Sequence, residues 1–368
     1  MLPQMKSKQF AIVLLLAQAL MITAWLTHAP PELSDYPAFY AVARLWQKDE
    51  QPYSFENQCR EQEQFNRGGC LPFVHPPILL PLMSLTTSEN FVASYWRWVA
   101  ACAALLLLCL IPLFQITRNV FVALQAILWQ PLAMSLGMGQ DGAFVLVAML
   151  FWAWLMIEHR DVLGGLCLSL AVIKPHLAIP LAIPLIFCRP KAFVAFSVGG
   201  TVLTLYSFML IGRDGFAGIL EMTSIMSRDQ TFGLFREGMS NFAGILARSG
   251  ASIRWSWISF IAGIIGISIL WRRAGVNIRT ISLAMVITLF TAPHVHSWDV
   301  GPLAMPLALG GMWPLIASST LLFLLLPYGL MHWGSYAIMV WIVLRAVTKR
   351  EDRYQWSRST VDSGTLPH

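Results

Sequence analysis

Long apolar stretches recur along nearly the whole chain, with only short polar intervals between most of them. Four of these stretches, at 10–25, 91–114, 143–157 and 192–211, approach or reach the roughly 20 residues that an α-helix needs to span a bilayer. The pattern predicts an all-α, polytopic integral membrane protein of about 12 transmembrane helices, although Gly and Pro residues interrupt the last apolar stretches.

Composition indicates the same class of protein. Of the 368 residues, 57% are hydrophobic and only 12% are charged, whereas a soluble globular protein has roughly 25% charged residues. The first apolar stretch is too long for a secretory signal peptide and lacks a small-residue cleavage site, so we interpret it as a retained helix. An ordinary soluble domain is therefore excluded.

The basic residues predict the orientation of the chain. Lys6 and Lys8 precede the first apolar stretch, which by the positive-inside rule predicts a cytoplasmic N-terminus. We expect the membrane to be a bacterial inner (plasma) membrane. If the helices alternate from there, the cytoplasmic turns contain Arg118, His159 and Arg160, Arg189 and Lys191, then Arg272, Arg273 and Arg279. The net charge of +6 reflects this topology. It does not indicate nucleic-acid binding, because no basic face with interleaved aromatic residues occurs on a soluble domain.

The same alternation organises the chain into a membrane-embedded domain, 1–348, and a tail. Two long loops, 28–90 and 212–256, are expected on the outer, periplasmic side. The tail, 349–368, is polar and Ser/Thr-rich, which predicts a flexible cytoplasmic segment.

Lys174-Pro175-His176 separates two apolar stretches that are short for spans. This indicates a broken or re-entrant element near the outer side, which a membrane tolerates only where it lines a cavity.

A carboxylate stands at the start of the first outer loop. Asp35 directly follows the first apolar stretch, and a charged residue at a membrane is costly unless it has a use. Tyr36, Phe39, Tyr40 and Ala43 then recur at helical spacing, which predicts an amphipathic helix lying on the membrane surface. Asp35 could simply cap this helix. The loop is much longer than an ordinary connection, which favours a functional role.

Two of the six cysteines lie in this loop. Cys59 and Cys70 could form a disulfide in an oxidising outer compartment, or remain as two free thiols. Closing a loop of that length stabilises a fold by about 3 kcal/mol. The other four cysteines lie singly in apolar stretches and are expected to be packing residues. No CxxC or HExxH spacing occurs, so the sequence gives no support for a metal site.

Motifs in the outer segments resemble those of glycosyltransferase family 87, a family of C-type glycosyltransferases that use polyprenyl-phosphate sugars. In order they are DYPAFY at 35–40, QPY at 51–53, FVHPP at 73–77, GQDG at 139–142, GG at 164–165 with IKPH at 173–176, SNFAGIL at 240–246 and APHVHSWD at 292–299. Each motif is short, but they keep the family's order and share the outer side. Two departures occur: His75 replaces the usual Tyr, and Gly142 replaces the usual Asn while Asp141 adds a carboxylate.

The resemblance implies a C-type glycosyltransferase fold whose long first loop carries amphipathic helices. The donor substrate would be a polyprenyl-phosphate-linked hexose, with mannose the commonest sugar in the family, and no separate cofactor is implied. The acceptor would be a hydroxyl of a glycolipid or glycan at the membrane, on the outer side. Asp35 would act as the general base, taking the acceptor proton while the phosphate leaves with inversion at the anomeric carbon.

The resemblance also assigns substrate-binding residues. Lys174, His176, His294 and His296 would form a wall of cations and hydrogen-bond donors that faces Asp35 and holds the leaving phosphate. Lys174 could instead extend from a helix end to water. Two histidines without a third ligand nearby do not suggest a metal.

Five other residues have two readings each. Gln140 and Asp141 would bind sugar hydroxyls or cap the following helix. Tyr36 and Tyr40 would stack on a sugar ring or belong to an interfacial aromatic belt. Arg236 would contact substrate or remain a solvated cation of the second loop. His75 stands at a position that the resemblance assigns to substrate recognition.

The main alternative is a transporter or flippase of a lipid-linked sugar. Broken helices and intramembrane Lys and His residues suit that class equally well. Against it, the chain shows no inverted or parallel repeat, and its polar residues gather at one surface. A non-catalytic subunit of an envelope assembly is a third possibility. The chain also lacks a GxGxxG loop or a DxD pair, which favours a lipid-phosphate donor over a nucleotide sugar.

Overall fold

The described chain is helical, and it contains no β-strand in residues 2–28, 30–65, 69–228, 236–325 and 330–348 of this computed structural model. The all-α prediction is confirmed. The expected tail at 349–368 lies outside these residues. The first half of the chain forms α1 (Leu2–His28), α2 (Tyr36–Gln47), α3 (Phe55–Gln62), α4 (Leu80–Thr86), α5 (Phe91–Leu108), α6 (Leu110–Thr117), α7 (Val120–Ile127), α8 (Gln130–Gly137) and α9 (Gly142–Ile157).

The second half begins with three short helices and then a long one. The helices are α10 (Asp161–Leu170), α11 (Pro175–Ala182), α12 (Leu185–Cys188), α13 (Pro190–Arg228), α14 (Phe242–Arg248), α15 (Trp255–Ala274), α16 (Ile278–Thr291), α17 (Ala304–Ala308), α18 (Met312–Leu324) and α19 (Met331–Thr348). Short 3₁₀ turns at Pro31–Leu33, Pro77–Leu79, Ala171–Ile173, Arg236–Gly238 and Ser297–Leu303 complete the connections.

Asparagine starts several of these helices. The side chains of Asn90, Asn119 and Asn241 each accept a hydrogen bond from a backbone N–H in the first turn of α5, α7 and α14. At α16, Asn277 and Thr280 form a reciprocal capping box. Such caps satisfy N–H groups that have no partner within the helix. Polar residues in the short loops therefore set where the apolar helices begin.

Three helical segments of the described residues are long and apolar enough to cross a membrane, at Phe91–Thr117, Pro190–Ser224 and Trp255–Ala274. A fourth span is possible if α7 and α8, bent by 41° at their junction, act as one. Seven further apolar helices have 10–17 residues. The prediction of several apolar membrane helices is confirmed, but the expected number of about 12 spans is not.

The α2 segment of the first long loop, predicted to be outer, is packed inside the protein. Nine residues of α2 are buried, including Tyr36, Phe39 and Tyr40, and the helix packs against α3, α4 and α5. The prediction that this segment lies on the membrane surface is therefore wrong. Helical spacing identified the apolar side of α2, but other helices of the protein, and not lipid, cover that side.

The described residues of the second long loop, also predicted to be outer, are largely helical. Gly212 has a positive φ of 64° and kinks α13, after which the helix continues to Arg228. The side chain of Asn241 then donates a hydrogen bond to the carbonyl of Ala292, and the N–H of Ser240 donates to the carbonyl of Val295 at 2.7 Å. These bonds attach the SNFAGIL segment to the APHVHSWD turn. The two late motifs thus form one structural unit.

Helix α9 lies at the centre and separates two ends of the bundle. It packs against α5, α8, α10 and α16, and its 16 residues give it a length of about 24 Å. Asp141 precedes the N-terminus of α9, at the first end of the bundle. His159 follows the C-terminus of α9, at the second end, and lies 3.0 Å from Arg189, which in turn lies 3.4 Å from Asp161.

The chain between Asp161 and Arg189 runs away from this second end and returns to it. It breaks at Lys174, between the Ala171–Ile173 turn and α11, and Pro175 stands in the first turn of α11, where the missing N–H is tolerated. The structure thus contains the interruption that the sequence indicates. The break places Lys174 at the end of the bundle opposite His159 and Arg189.

Candidate active site

A cavity of about 1260 Å³ opens at the Asp141 end of the bundle. One part of its lining is polar, and the other is an apolar groove along α13. The polar lining includes Asp35, His75, Gln140, Lys174, His176, Arg236, His294, His296 and Asp299. The groove includes Phe196, Gly200, Leu203, Phe208, Ile211, Phe216 and Ile219. Eight of the predicted site residues thus line one cavity, although they come from segments spread between Asp35 and His296.

Asp35 is held in this cavity by the GQDG turn. Its backbone N–H donates to the carbonyl of Met138 at 3.1 Å, and its carboxylate accepts a hydrogen bond from the side chain of Gln140. Although Asp35 precedes α2, its side chain makes no capping bond. Burial raises the pKa of the Asp35 carboxyl above its usual range, and the bond from Gln140 offsets part of that rise. The capping interpretation is therefore wrong, and the carboxylate is left for the cavity.

The GQDG turn needs its first glycine. Gly139 has a φ of +66°, and a Cβ atom there would lie 2.6 Å from the Cβ of Tyr36. The Trp98 indole N–H donates a hydrogen bond to the carbonyl of Gly139 in the turn, and the Tyr95 hydroxyl donates one to the carbonyl of Gly137 just before it, both at 2.8 Å. The backbone of the turn can therefore approach the start of α2 closely. That approach brings Gln140 to Asp35.

A buried ion cluster forms part of the polar lining of the cavity. Lys174 forms ion pairs with Asp299 and, at 3.3 Å, with Asp141. The side chains of Lys174, Asp299 and Asp141 are 7%, 3% and 0% exposed. Burial by itself disfavours an ionised Asp299, but the ammonium of Lys174 outweighs it and holds the pKa of that carboxyl below its usual range. The cluster joins the turns before α9, before α11 and after α16.

His75 joins the cluster at the cavity surface. Its Nδ1 atom lies 2.7 Å from a carboxylate oxygen of Asp141, and its side chain is 22% exposed. The rings of Phe39 and Phe73 pack on the imidazole, with centroids 5.2 and 5.0 Å away. His75 and Asp141 are thus in direct contact. These are the two residues at which the sequence departs from the family pattern by a side chain that can ionise.

Three further histidines line the opposite wall. The ring of His176 lies 6.2 Å from that of His294, which in turn lies 4.8 Å from that of His296. His296 stacks on Trp298 with ring centroids 4.5 Å apart. The backbone N–H of His296 donates to the carboxylate of Asp299 at 2.9 Å. The Nε2 atom of His176 is buried and has no hydrogen-bond partner within the described part of the chain.

The wall that carries His75 is braced from outside the cavity. A disulfide joins Cys59 in α3 to Cys70. Gln58 accepts a hydrogen bond from the N–H of Phe73 at 2.8 Å, and Gln62 accepts one from the N–H of Leu71 at 2.9 Å. The disulfide and the two glutamines hold residues 71–75 against α3. The paired state of the two cysteines, one of two readings of the sequence, is the one that the structure has.

The structure corrects two parts of the predicted site. Tyr36 and Tyr40 are 2% and 1% exposed and pack among Phe91, Tyr95 and Phe65, so neither lines the cavity or an interfacial belt. Lys174, predicted to hold a phosphate together with the histidines, has two carboxylate partners in the structure, Asp141 and Asp299. Asp141 likewise neither caps α9 nor reaches the cavity surface.

Sequence reasoning missed one residue of the site, Asp299. It ends the APHVHSWD motif and was available as a candidate, but its pairing with Lys174 spans 125 residues. A lone carboxylate after an aromatic residue gives no sign of such a partner. In the ranges that the structure describes, no group of three or more His, Cys, Asp or Glu side chains is arranged to hold a metal ion.

The fold and the site together define a helical membrane protein with a carboxylate-bearing cavity at one end of its bundle. Residues 73–295, well over half of the 368 residues, match the model of glycosyltransferase family 87. The chain belongs to this family and is a membrane glycosyltransferase, as the motifs indicated. No curated protein and no solved structure matches the chain. Asp35 and Asp299 lie outside the matched residues, so their assignment rests on the cavity.

Proposed function

We propose that the protein transfers a hexose, with mannose as the first candidate, from a polyprenyl-phosphate donor to a hydroxyl of a glycolipid or glycan. Asp35 is the general base, and the reaction takes place at the outer face of a bacterial inner membrane. One observation carries this proposal: a single cavity joins the carboxylate of Asp35 to an apolar groove along α13. Such a shape fits a substrate that has a sugar at one end and a lipid at the other.

The groove is suited to a polyprenyl chain. α13 contains one of the segments that are long and apolar enough to cross a membrane, and most of that segment is not buried inside the protein. Phe196, Leu203 and Phe208 of this helix line the cavity. Burying apolar area stabilises a complex by about 25 cal/mol per Å² where that area leaves water. A lipid tail entering from the bilayer gains less, so the groove chiefly guides the donor and leaves recognition to the polar end.

The polar end supports proton transfer by Asp35. The acceptor oxygen attacks the anomeric carbon, its proton passes to the Asp35 carboxylate, and the bond between the anomeric carbon and the phosphate oxygen breaks. A base works best when its pKa lies near the working pH, and burial shifts Asp35 in that direction. Attack and departure on opposite faces of the sugar invert the anomeric configuration.

The distribution of basic residues supports the outer location of the cavity. His159 and Arg189 meet at the other end of α9, and Arg272 lies over the ring of Phe187. Short loops rich in Lys and Arg face the cytoplasm. With that end in the cytoplasm, the cavity faces the periplasm, where a lipid-linked donor is presented.

The proposal is tested with purified protein in liposomes, a synthetic polyprenyl-phosphate-linked mannose and a short glycolipid acceptor. We expect a product with inverted anomeric configuration from the lipid-phosphate donor and none from a nucleotide sugar. Product from the nucleotide sugar alone would contradict the proposal. Movement of the donor between leaflets without any product, unchanged in Asp35→Asn, would instead establish the transporter or flippase.

A further inference from the structure

His75 has one ring nitrogen engaged and one left for the cavity. Nδ1 lies 2.7 Å from the carboxylate of Asp141, which is 0% exposed, while the His75 side chain itself is 22% exposed. A carboxylate bonded to Nδ1 fixes the orientation of an imidazole and leaves Nε2 as the atom that meets a substrate. His75 therefore has the arrangement of an oriented acid–base group, and the proposed role of Asp35 leaves it unused.

The buried cluster contains two carboxylates and one ammonium, and His75 lies beside the carboxylate of Asp141. Asp141 and Asp299 share the ammonium of Lys174, which lies closer to Asp299 than to Asp141. A fully buried carboxylate is costly unless a positive charge pairs with it. His75, with Nδ1 at 2.7 Å from Asp141, is placed to pair with that carboxylate. A histidine that acts as a general acid through Nε2 carries a proton on both ring nitrogens.

His75 lies close to the junction between the polar lining of the cavity and the apolar groove. Pro76, Pro77 and Ile78 follow it and also line the cavity, and the Pro77–Leu79 turn packs against α13. His75 thus stands where the polar end of the cavity meets the apolar groove. In a polyprenyl-phosphate sugar, the phosphate is the group between the lipid and the sugar.

We propose that His75, oriented by Asp141, is the general acid of the transfer and donates its Nε2 proton to the departing phosphate oxygen. This inference rests on the proposed function. The acceptor proton passes to Asp35 as the new glycosidic bond forms, the bond from the anomeric carbon to the phosphate oxygen breaks with its electron pair on that oxygen, and the His75 proton neutralises it. Proton return from Asp35 to His75 through water completes the cycle.

Two variants separate the two ends of the imidazole. His75→Asn keeps an amide nitrogen near the place of Nδ1, so it can still donate to Asp141, but it lacks the Nε2 donor. His75→Gln places its amide nitrogen near Nε2. We expect kcat with the polyprenyl-phosphate donor to fall by roughly 10²–10⁴-fold in His75→Asn, because a general acid contributes that much. His75→Gln, with a weak donor in place, should lose less.

The decisive readout is the dependence of rate on the leaving group. Lipid-linked aryl phosphates with increasingly electron-withdrawing rings give departing phosphates of decreasing basicity, which need less help from an acid. In His75→Asn, the loss of kcat should shrink along this series to within about tenfold of the parent for the least basic group. Asp141→Asn should show the same trend, since it retains the imidazole without its orienting charge.

His159→Asn is the matched control, because this exposed histidine lies at the opposite end of α9 and also has a positive φ of 58°, which Asn tolerates. Its rate should follow the parent along the whole series. Parallel series for the parent and His75→Asn would overturn the inference and leave the proposed function intact, as long as the parent transfers from the lipid-phosphate donor. A merely structural His75 would lower the rates equally for all leaving groups.

Discussion

Two clusters of charged residues, one at each end of α9, use similar side chains in opposite surroundings. At the cavity end, Lys174 lies between Asp141 and Asp299, with side chains that are at most 7% exposed. At the other end, Arg189 meets Asp161 and His159, and the Arg189 and Asp161 side chains are 22% and 19% exposed. Charges interact far more strongly away from water. Burial, and not residue type, distinguishes the end at which we propose the active site.

The difference also supports placing the proposed chemistry at the cavity end. Exposed ion pairs hold their partners weakly. The buried cluster fixes three turns of the chain in a set geometry and presents Asp35 and His75 to one cavity. A catalytic site needs such fixed geometry to position its reacting groups. The basic end needs only to remain on its side of the membrane.

Asp35→Asn should have the largest effect on activity. The amide keeps the size and polarity of the side chain but accepts no proton, so kcat should fall by roughly 10²–10⁴-fold with little change in KM for the donor. The matched control is Asp161→Asn at the other end of α9, for which initial rates should stay within about twofold of the parent. Equal rates for Asp35→Asn and the parent would remove Asp35 from the mechanism.

Lys174→Met should have the largest effect on stability. It leaves two buried carboxylates without their cation, and breaking a buried pair in this way costs about 3–5 kcal/mol. Thermal unfolding of the detergent-solubilised protein should show a much lower midpoint. The double variant Lys174→Met with Asp299→Asn should recover part of the loss, because it removes one of the unpaired charges. A double variant whose unfolding midpoint is no higher than that of the single variant would argue against the ion cluster.

Gly139→Ala should have an intermediate effect. The new Cβ would lie 2.6 Å from the Cβ of Tyr36, and the positive φ adds roughly 1–2 kcal/mol of strain. The turn should shift, separating Gln140 from Asp35, so transfer should fall together with stability. Gly250→Ala is the control, since Gly250 has a φ of +70° but nothing within 4 Å of an added Cβ. If both variants lost activity equally, the close approach of the turn to α2 would not matter.

Arg189→Gln should have the smallest effect. Its ion pair with Asp161 is partly exposed, and such pairs contribute about 0–1 kcal/mol. The unfolding midpoint and the transfer rate should both remain close to those of the parent. A loss as large as that of Lys174→Met would mean that the two ends do not differ in the way burial indicates.

Much of the site could be predicted from the sequence, because its residues follow apolar stretches in short motifs. Asp35, Gln140, Lys174 and His294 each stand where a polar residue interrupts or ends an apolar run. Alternation of the helices then places them on one side. That argument needs no knowledge of distances, and it correctly assembles one cavity.

The pairing of charges could not be predicted in the same way. The contact of Gln140 with Asp35 spans 105 residues, and that of Lys174 with Asp299 spans 125. Tyr36 was misplaced for a related reason: helical spacing shows which residues share a face, but not what covers it. The number of spans also differs, because many apolar runs are broken by Pro or polar residues into helices of 10–17 residues.

The central claim is that the phosphate of the lipid donor lies at the cavity end, between Asp35 and the groove of α13. The most direct measurement is photocrosslinking of the parent protein in liposomes with a polyprenyl-phosphate sugar analogue that carries a diazirine next to the phosphate, followed by peptide mass spectrometry. We expect labelled peptides from residues 71–78 and 172–179, which line the cavity. Labelling confined to peptides around His159 and Arg189 would contradict the account.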